Sequence, residues 1–179
     1  MLSRRHSLVA GLALLLGGCG FRLRGSNLVM PFKHVRLDAA DTSTVVTNLT
    51  AQLQATGVQV TRNASQPSAP GVGAPAGAAI AVPDAILQVL QDQRERTVVG
   101  TTTTGQVREL QLRQRFRFSV RTPAGRELMP ATEVLQERDL SFSETQVLGK
   151  EMEEALLYQD MQAAVVRQVM YRLAALKGL

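Results

Sequence analysis

The sequence predicts an α+β fold, in which two helices pack on one face of a small, mostly antiparallel or mixed β-sheet as a two-layer sandwich. Three observations support this prediction. Apolar and polar residues alternate from Leu110 to Arg121, apolar residues recur at helical spacing after Gly149, and a strand-helix-strand pattern occupies residues 33 to 61. Alternation is typical of a strand with one buried face, whereas a period of three to four residues predicts a helix.

The first predicted unit begins with a short strand at Lys33 to Asp38, whose apolar residues are Val35 and Leu37. Asp41-Thr42-Ser43 offers an N-cap to a helix that Gly57 ends, and Val58 to Thr61 forms the next strand. The apolar face of this helix is expected to contain Val45, Val46, Leu49 and Leu53.

Residues Asn63 to Pro83 are rich in Ala, Gly, Pro and Ser and carry no charge. Such a segment buries too little apolar surface to offset the entropy of ordering, so it predicts a flexible loop. A linker between two domains is the alternative, but the first unit looks too small to fold by itself. We therefore expect one domain over residues 19–179.

The second half of the sheet is predicted as three strands. Asp84 to Val99 is assigned as a strand that runs into a hairpin loop, although Ile86, Leu87 and Leu90 would also suit a helix turn. The next strand is the clearest, with Leu110, Leu112, Phe116, Phe118 and Val120 on one face, and Gln111, Arg113, Arg115, Arg117, Ser119 and Arg121 on the other. A turn at Thr122 to Gly125 then leads to a returning strand through Thr132, Val134, Leu140 and Phe142.

A long helix is predicted from Gly149 to near the end of the chain. Its apolar side is expected to contain Met152, Leu156, Met161, Val165, Val169, Leu173 and Leu176. Glu151, Glu153 and Glu154 are expected in its first turns, where negative charge favours the positive end of the helix dipole.

The N-terminus has the pattern of an export signal over residues 1 to 18, with Arg4 and Arg5 before an apolar run that is too short to span a bilayer. Leu16-Gly17-Gly18-Cys19 resembles a bacterial lipobox, which predicts that Cys19, the single cysteine, is acylated after cleavage. The alternative is an ordinary signal peptide with a leftover or buried cysteine. Gly20 follows Cys19 where inner-membrane retention would place Asp, so we expect a lipid anchor in the outer membrane.

The residue inventory argues against an enzyme. Beyond the signal segment the chain has one histidine, His34, and no free cysteine if Cys19 is acylated. Neither a metal cluster nor a Cys/His pair can be assembled from these residues. We therefore expect no catalytic residues, no metal and no cofactor apart from the covalent lipid on Cys19. A carboxylate pair formed only in space would leave a lipid-anchored hydrolase as a remaining option.

Positive charge is concentrated in the middle of the chain, where eight arginines lie between residues 94 and 126 against Glu95 and Glu109. One interpretation pairs them with acids of the next strand, such as Glu133, Glu137 and Asp139. The other is a surface for anionic partners, since guanidinium groups bind phosphates bidentately. Export removes nucleic acid from reach, which leaves lipid head groups, lipopolysaccharide and acidic protein loops.

The lipobox, the run Cys19-Gly20-Phe21-Arg22-Leu23-Arg24-Gly25, and the element order together resemble the LPS-assembly lipoprotein LptE family. This resemblance implies an outer-membrane lipoprotein that plugs the β-barrel translocon LptD, assists its folding and binds lipopolysaccharide during delivery to the cell surface. The alternative is a periplasm-facing lipoprotein that binds anionic lipid or cell-wall partners without a barrel.

The resemblance also implies basic lipopolysaccharide-binding residues near the middle hairpin loop and just before the last helix. Lys150 matches the second position, although it could be an ordinary helix-start lysine beside Glu151 and Glu154. The hairpin position falls near Thr103 in an uncharged run. The candidates to replace it are Arg108, Arg113, Arg115, Arg117 and Arg121.

Overall fold

The computed structural model describes residues 28–40, 42–62, 82–142 and 147–177. The predicted signal segment, Cys19, and the predicted loop up to residue 81 lie outside these ranges. Within them the chain forms two helices and five strands, in the order β1 His34–Asp38, α1 Thr44–Ala55, β2 Gln59–Arg62, β3 Ala85–Thr101, β4 Val107–Arg121, β5 Glu127–Ser141 and α2 Val147–Ala174.

The five strands form one mixed sheet in the order β2-β1-β3-β4-β5. β1 pairs in parallel with both β2 and β3, whereas β3, β4 and β5 form an antiparallel meander. The meander strands are much longer than β1 and β2, so most of the sheet is antiparallel, and the predicted α+β class is confirmed.

Helix α1 begins and ends where the sequence predicts. The Ser43 hydroxyl accepts a hydrogen bond from the backbone N–H of Val46 at 3.0 Å, which satisfies one of the free donors of the first turn. Gly57 follows the helix with φ +85°, a conformation that a Cβ atom disfavours. All four predicted core residues of α1 are buried.

Both helices cover the same face of the sheet, which we call the helix-bearing face, and the other is the open face. The even-numbered residues of β4 from Leu110 to Val120 are buried beneath the helices. Phe116, Phe118 and Val120 belong to a large cluster with α1 and the second half of α2, whereas Leu110 and Leu112 belong to a smaller cluster with Tyr158 and Met161 in the middle of α2.

The predicted apolar side of α2 is correct from Met161 onward but wrong in its first turns. Met152 is 70% exposed and Leu156 is 62% exposed, whereas Tyr158 is buried instead. Polar contacts set this rotation, because the Tyr158 hydroxyl donates to the Glu95 carbonyl at 2.8 Å. The helix also begins earlier than predicted, at Val147, so the three glutamates lie beyond its first turn.

Asp84 joins the start of β3 to β1. Its Oδ2 accepts hydrogen bonds from the backbone N–H groups of Lys33 at 2.8 Å and His34 at 2.9 Å. These two bonds hold the pKa of Asp84 below its ordinary value of 3.8, and the bond from Lys33 has the larger effect. A depressed carboxyl pKa stabilises the fold above the unfolded-state pKa, and this contribution is lost as the pH falls through the folded-state pKa.

We expect Asp84→Ala to lower the free energy of unfolding by about 1–2 kcal/mol at pH 7, because charge-assisted hydrogen bonds are lost from an exposed site. The difference between the two proteins should shrink as the pH falls below the ordinary carboxyl pKa of 3.8 and through the lower pKa of the folded state. Urea unfolding at pH 7 and at pH 3 measures both. Glu151→Ala, at an exposed position of α2, is the control; a pH-independent difference would contradict the prediction.

Candidate binding surface

The arginines of β4 form a line on the open face of the sheet. We call Arg113, Arg115, Arg117 and Arg121 the arginine row; they alternate with the buried residues of the strand. Alternate residues of a strand lie about 6.6 Å apart, so the row is about 26 Å long. This geometry presents an extended line of guanidinium groups and not a single phosphate pocket.

The first two members of the row form ion pairs with the flanking strands. Arg113 Nε lies 2.7 Å from Glu137 Oε1, although its N–H is not aligned for a hydrogen bond. Arg115 Nη1 donates to Glu133 at 3.1 Å, and its Nε lies 3.6 Å from Glu95. The pairing with Glu133 and Glu137 that the sequence suggested is therefore present. These half-exposed pairs contribute about 0–1 kcal/mol each.

Arg117 and Arg121 have no ion-pair partner within the described part of the chain. Arg117 lies opposite Gln91 on one side and Glu133 on the other, but the Glu133 carboxylate binds Arg115. Arg121 lies opposite Ile86 and Glu127. Both side chains are exposed, so this end of the arginine row is the part available to an anionic group on a partner.

The basic charge of the middle region is divided between the two faces. A bulge between Val89 and Gln91 sets the alternation of β3, so that Arg94 pairs in register with Gln114 and Arg96 with Leu112, on the helix-bearing face. The Arg94 guanidinium lies 5.3 Å from the Tyr158 ring. On the open face, acids from β3 and β5 flank the arginine row, so the strongly basic part of this face is limited to β4.

Lys150 and Arg108 both lie at the end of the sheet that is far from Arg121. Lys150 Nζ donates to Ser141 Oγ at 3.1 Å and to Glu153 at 2.8 Å, so its acidic neighbour is neither Glu151 nor Glu154. The Arg108 carbonyl accepts from the Phe142 N–H at 2.8 Å, which places Arg108 beside the same end of β5.

Arg108 also differs from the arginine row in its backbone. It is the extra residue of a bulge in β4, because Glu109 pairs with Gly100 whereas Val107 pairs with Thr101. Arg108 is about 43 Å from Arg121 along the strand. The predicted binding residues therefore form two groups, the arginine row and the hairpin-end pair Lys150 and Arg108.

A polar cluster under α2 was not predicted. Gln114 is fully buried and donates from Nε2 to Asp92 Oδ1 at 2.6 Å. Tyr158 packs nearby, and burial is the main cause that raises the pKa of its phenol above 10.0. The sequence did contain a signal for this cluster, since Gln114 is the polar residue that interrupts the apolar face of β4.

Two kinds of feature are not found among the described residues. They contain no group of three or more His, Cys, Asp or Glu side chains placed to hold a metal ion. None of the helices they form is long and apolar enough to cross a membrane.

Comparisons with known proteins agree with the fold. Residues 32–173 match the family model described as LptE: Lipopolysaccharide-assembly. The chain is 27% identical to an uncharacterized lipoprotein B from Nitrosomonas europaea (TM-score 0.66; 87% of this chain and 91% of that one). It also resembles the rare lipoprotein B from Shewanella oneidensis (19%; TM-score 0.60; 79% and 94%) and a minor lipoprotein from Acinetobacter baumannii (17%; TM-score 0.60; 84% and 100%). No curated protein sequence matches the chain.

Proposed function

Because the chain belongs to the LptE family of lipopolysaccharide-assembly lipoproteins, we propose that it is the outer-membrane subunit that plugs the LptD β-barrel and assists its assembly. The observation that carries this proposal is the family match over residues 32–173, which includes all of β1 to β5 and nearly all of α2. In the same proposal the protein has no enzymatic activity, and Cys19 carries the covalent lipid that anchors it.

The open face suits a polar barrel lumen. Charged and amide side chains cover β4 and its flanking strands there, and ion pairs hold Arg113 and Arg115 in place. The interiors of large transmembrane barrels are polar, so a polar sheet face can exchange its water for hydrogen bonds with the wall. Arg117 and Arg121 supply guanidinium groups for acidic groups of the partner.

The size of the domain restricts the partner to a large barrel. The five-stranded sheet is about 19 Å wide, since neighbouring strands lie about 4.8 Å apart, and the helices add a second layer. Barrels of about 8 strands have room only for side chains or one small ligand, whereas 22-stranded barrels hold a plug. A plug of this size therefore needs a barrel of the second kind.

The proposal is tested by affinity purification of the tagged protein from detergent-extracted outer membranes, followed by electrophoresis of heated and unheated samples. A stoichiometric partner whose electrophoretic mobility changes on heating would be the β-barrel protein. Recovery of a lone lipoprotein would instead support the periplasm-facing module that binds anionic lipid or cell-wall partners. Labelling with radioactive palmitate, lost in Cys19→Ser, tests the anchor separately.

Lipopolysaccharide binding is proposed at the hairpin-end pair, where Lys150 and Arg108 each contact the end of β5 or the residue after it. We expect Lys150→Gln to weaken binding of purified lipopolysaccharide by about tenfold, because one charge-assisted contact to a phosphate is lost. Lys177→Gln removes an equal charge from an exposed position at the other end of α2 and should bind normally. Equal binding by both variants and the wild type would leave Lys150 as a structural lysine.

A further inference from the structure

Within the described ranges of the chain, most of one edge of β3 has no neighbouring strand. β1 pairs only with Ala85–Gln88, although β3 continues to Thr101. From Leu90 to Val99 the backbone groups on that edge therefore face no strand within the ranges that the structure describes. An unpaired edge is a template for another strand, and proteins usually blunt it with charged side chains. Here the charges of the edge are Asp92, Arg94, Glu95 and Arg96.

We propose that this edge pairs with the same edge of a second copy of the chain. Antiparallel pairing centred on Arg94 places Asp92 opposite Arg96, and the two-fold symmetry creates this ion pair twice. The same register places Leu90 opposite Val98, again twice. Opposite charges and apolar residues that face each other across strands are favourable. The segment from Leu90 to Val98 is thus complementary to itself.

Neighbouring registers lack this complementarity. Centring on Glu95 brings two glutamates together and places Arg94 opposite Arg96, while centring on Gln93 places Leu90 opposite Arg96. In the favoured register the two Arg94 residues face each other, which is unfavourable for free side chains. Each guanidinium is instead drawn onto its own helix, where it lies 5.3 Å from the Tyr158 ring.

The described residues around the edge leave space beside it. A cleft of about 500 Å³ lies beside it between residues 40–44 and 89–94. Val98 of the second copy, opposite Leu90, would enter this cleft. Val98 and Val99 are each 49% exposed in the single chain, so pairing would bury apolar surface that the fold leaves in contact with water.

A two-fold axis perpendicular to the sheet keeps the helices of both copies on one side. The flank of α2 that faces β3 contains Glu154, which lies 3.6 Å from Arg96, and Tyr158, which bonds the Glu95 carbonyl.

This pairing is a property of the chain outside the barrel and does not depend on the proposed function. Two copies would form a continuous sheet of twice the five strands of one copy, which a lumen that holds one copy cannot contain. Loss of self-association and loss of barrel binding are therefore distinguishable, because one is measured on the lipoprotein alone and the other by copurification.

The test is sedimentation velocity of the detergent-extracted full chain, expressed without the barrel, over a range of concentrations. We expect a monomer–dimer equilibrium. Asp92→Arg and Arg96→Asp should each raise the dissociation constant at least about tenfold, because two ion pairs become like-charge contacts. The double variant D92R/R96D should restore most of the affinity. Within one chain the two residues are about 13 Å apart, so screening prevents an intramolecular rescue.

Substitution of Asp92 also removes its bonds to Ser43 and Gln114 within its own chain. Val98→Lys therefore provides a second variant that leaves those bonds in place. It places a charge opposite Leu90 and should abolish the dimer while the circular dichroism spectrum stays unchanged. The matched control is Leu135→Lys, at a 39% exposed apolar residue of the other edge strand, β5. A monomer at every concentration, or a dimer that V98K and the charge reversals leave intact, would overturn the proposal.

Discussion

Replacing Phe116 by alanine should lower the free energy of unfolding by about 3–5 kcal/mol, because the lost transfer energy and the resulting cavity add. Phe116 has no exposed surface, and its ring centroid lies 5.9 Å from that of Phe118. It belongs to the large cluster that joins both helices to the sheet. Domains of this size have total stabilities of about 5–15 kcal/mol, so the variant is expected to be marginal.

Chemical denaturation of the purified full chain in detergent measures this loss. Leu135→Ala is the matched control, since Leu135 lies on the neighbouring strand but is 39% exposed on the open face, and it should cost well under about 1 kcal/mol. A loss below about 1 kcal/mol for Phe116→Ala would mean that the core is not organised around β4 as described.

The elements that the sequence predicted well are those whose pattern is local. In β4, twelve residues from Leu110 to Arg121 alternate between apolar and polar, interrupted only at Gln114, and so identify both the strand and its buried face. In α1, a capping serine, four apolar residues at helical spacing and a terminal glycine agree with one another. Each of these signals needs only neighbouring residues, which is why the structure matches them closely.

The features that were missed depend on contacts between distant residues. The first turns of α2 contain two candidate apolar stripes, one through Met152 and Leu156 and the other through Tyr158 and Met161. The bonds of Tyr158 to Glu95 and of Glu154 to Arg96 select the second. No local pattern predicts those partners.

The division of basic charge was also missed, because it depends on a single bulged residue of β3. A one-residue change of alternation moves every following side chain to the other face of a sheet. The bulge near Leu90 therefore places Arg94 and Arg96 under α2 and leaves Glu95 on the open face beside the arginine row. Composition alone gave the amount of charge but not its position.

This division changes which arginines can test the proposed plug. Reversing charge at Arg113 or Arg115 would break ion pairs with Glu137 or Glu133 and so perturb the sheet itself. Arg117 and Arg121 have no such partner in the described part of the chain. We therefore expect R117E/R121E to fold normally but to reduce recovery of the barrel by at least about tenfold, since buried charge pairs at interfaces are costly to reverse.

Copurification of the barrel with the tagged variant measures the effect, and lipopolysaccharide binding is measured on the same samples. R167E/K177E carries the same change of net charge at exposed Arg167 of α2 and at exposed Lys177 just after the helix, so it controls for a general electrostatic effect. Full recovery with R117E/R121E would show that the free end of the arginine row does not contact the barrel. Because Lys150 lies at the far end of the sheet, a variant that loses the barrel but keeps lipopolysaccharide would separate the two surfaces.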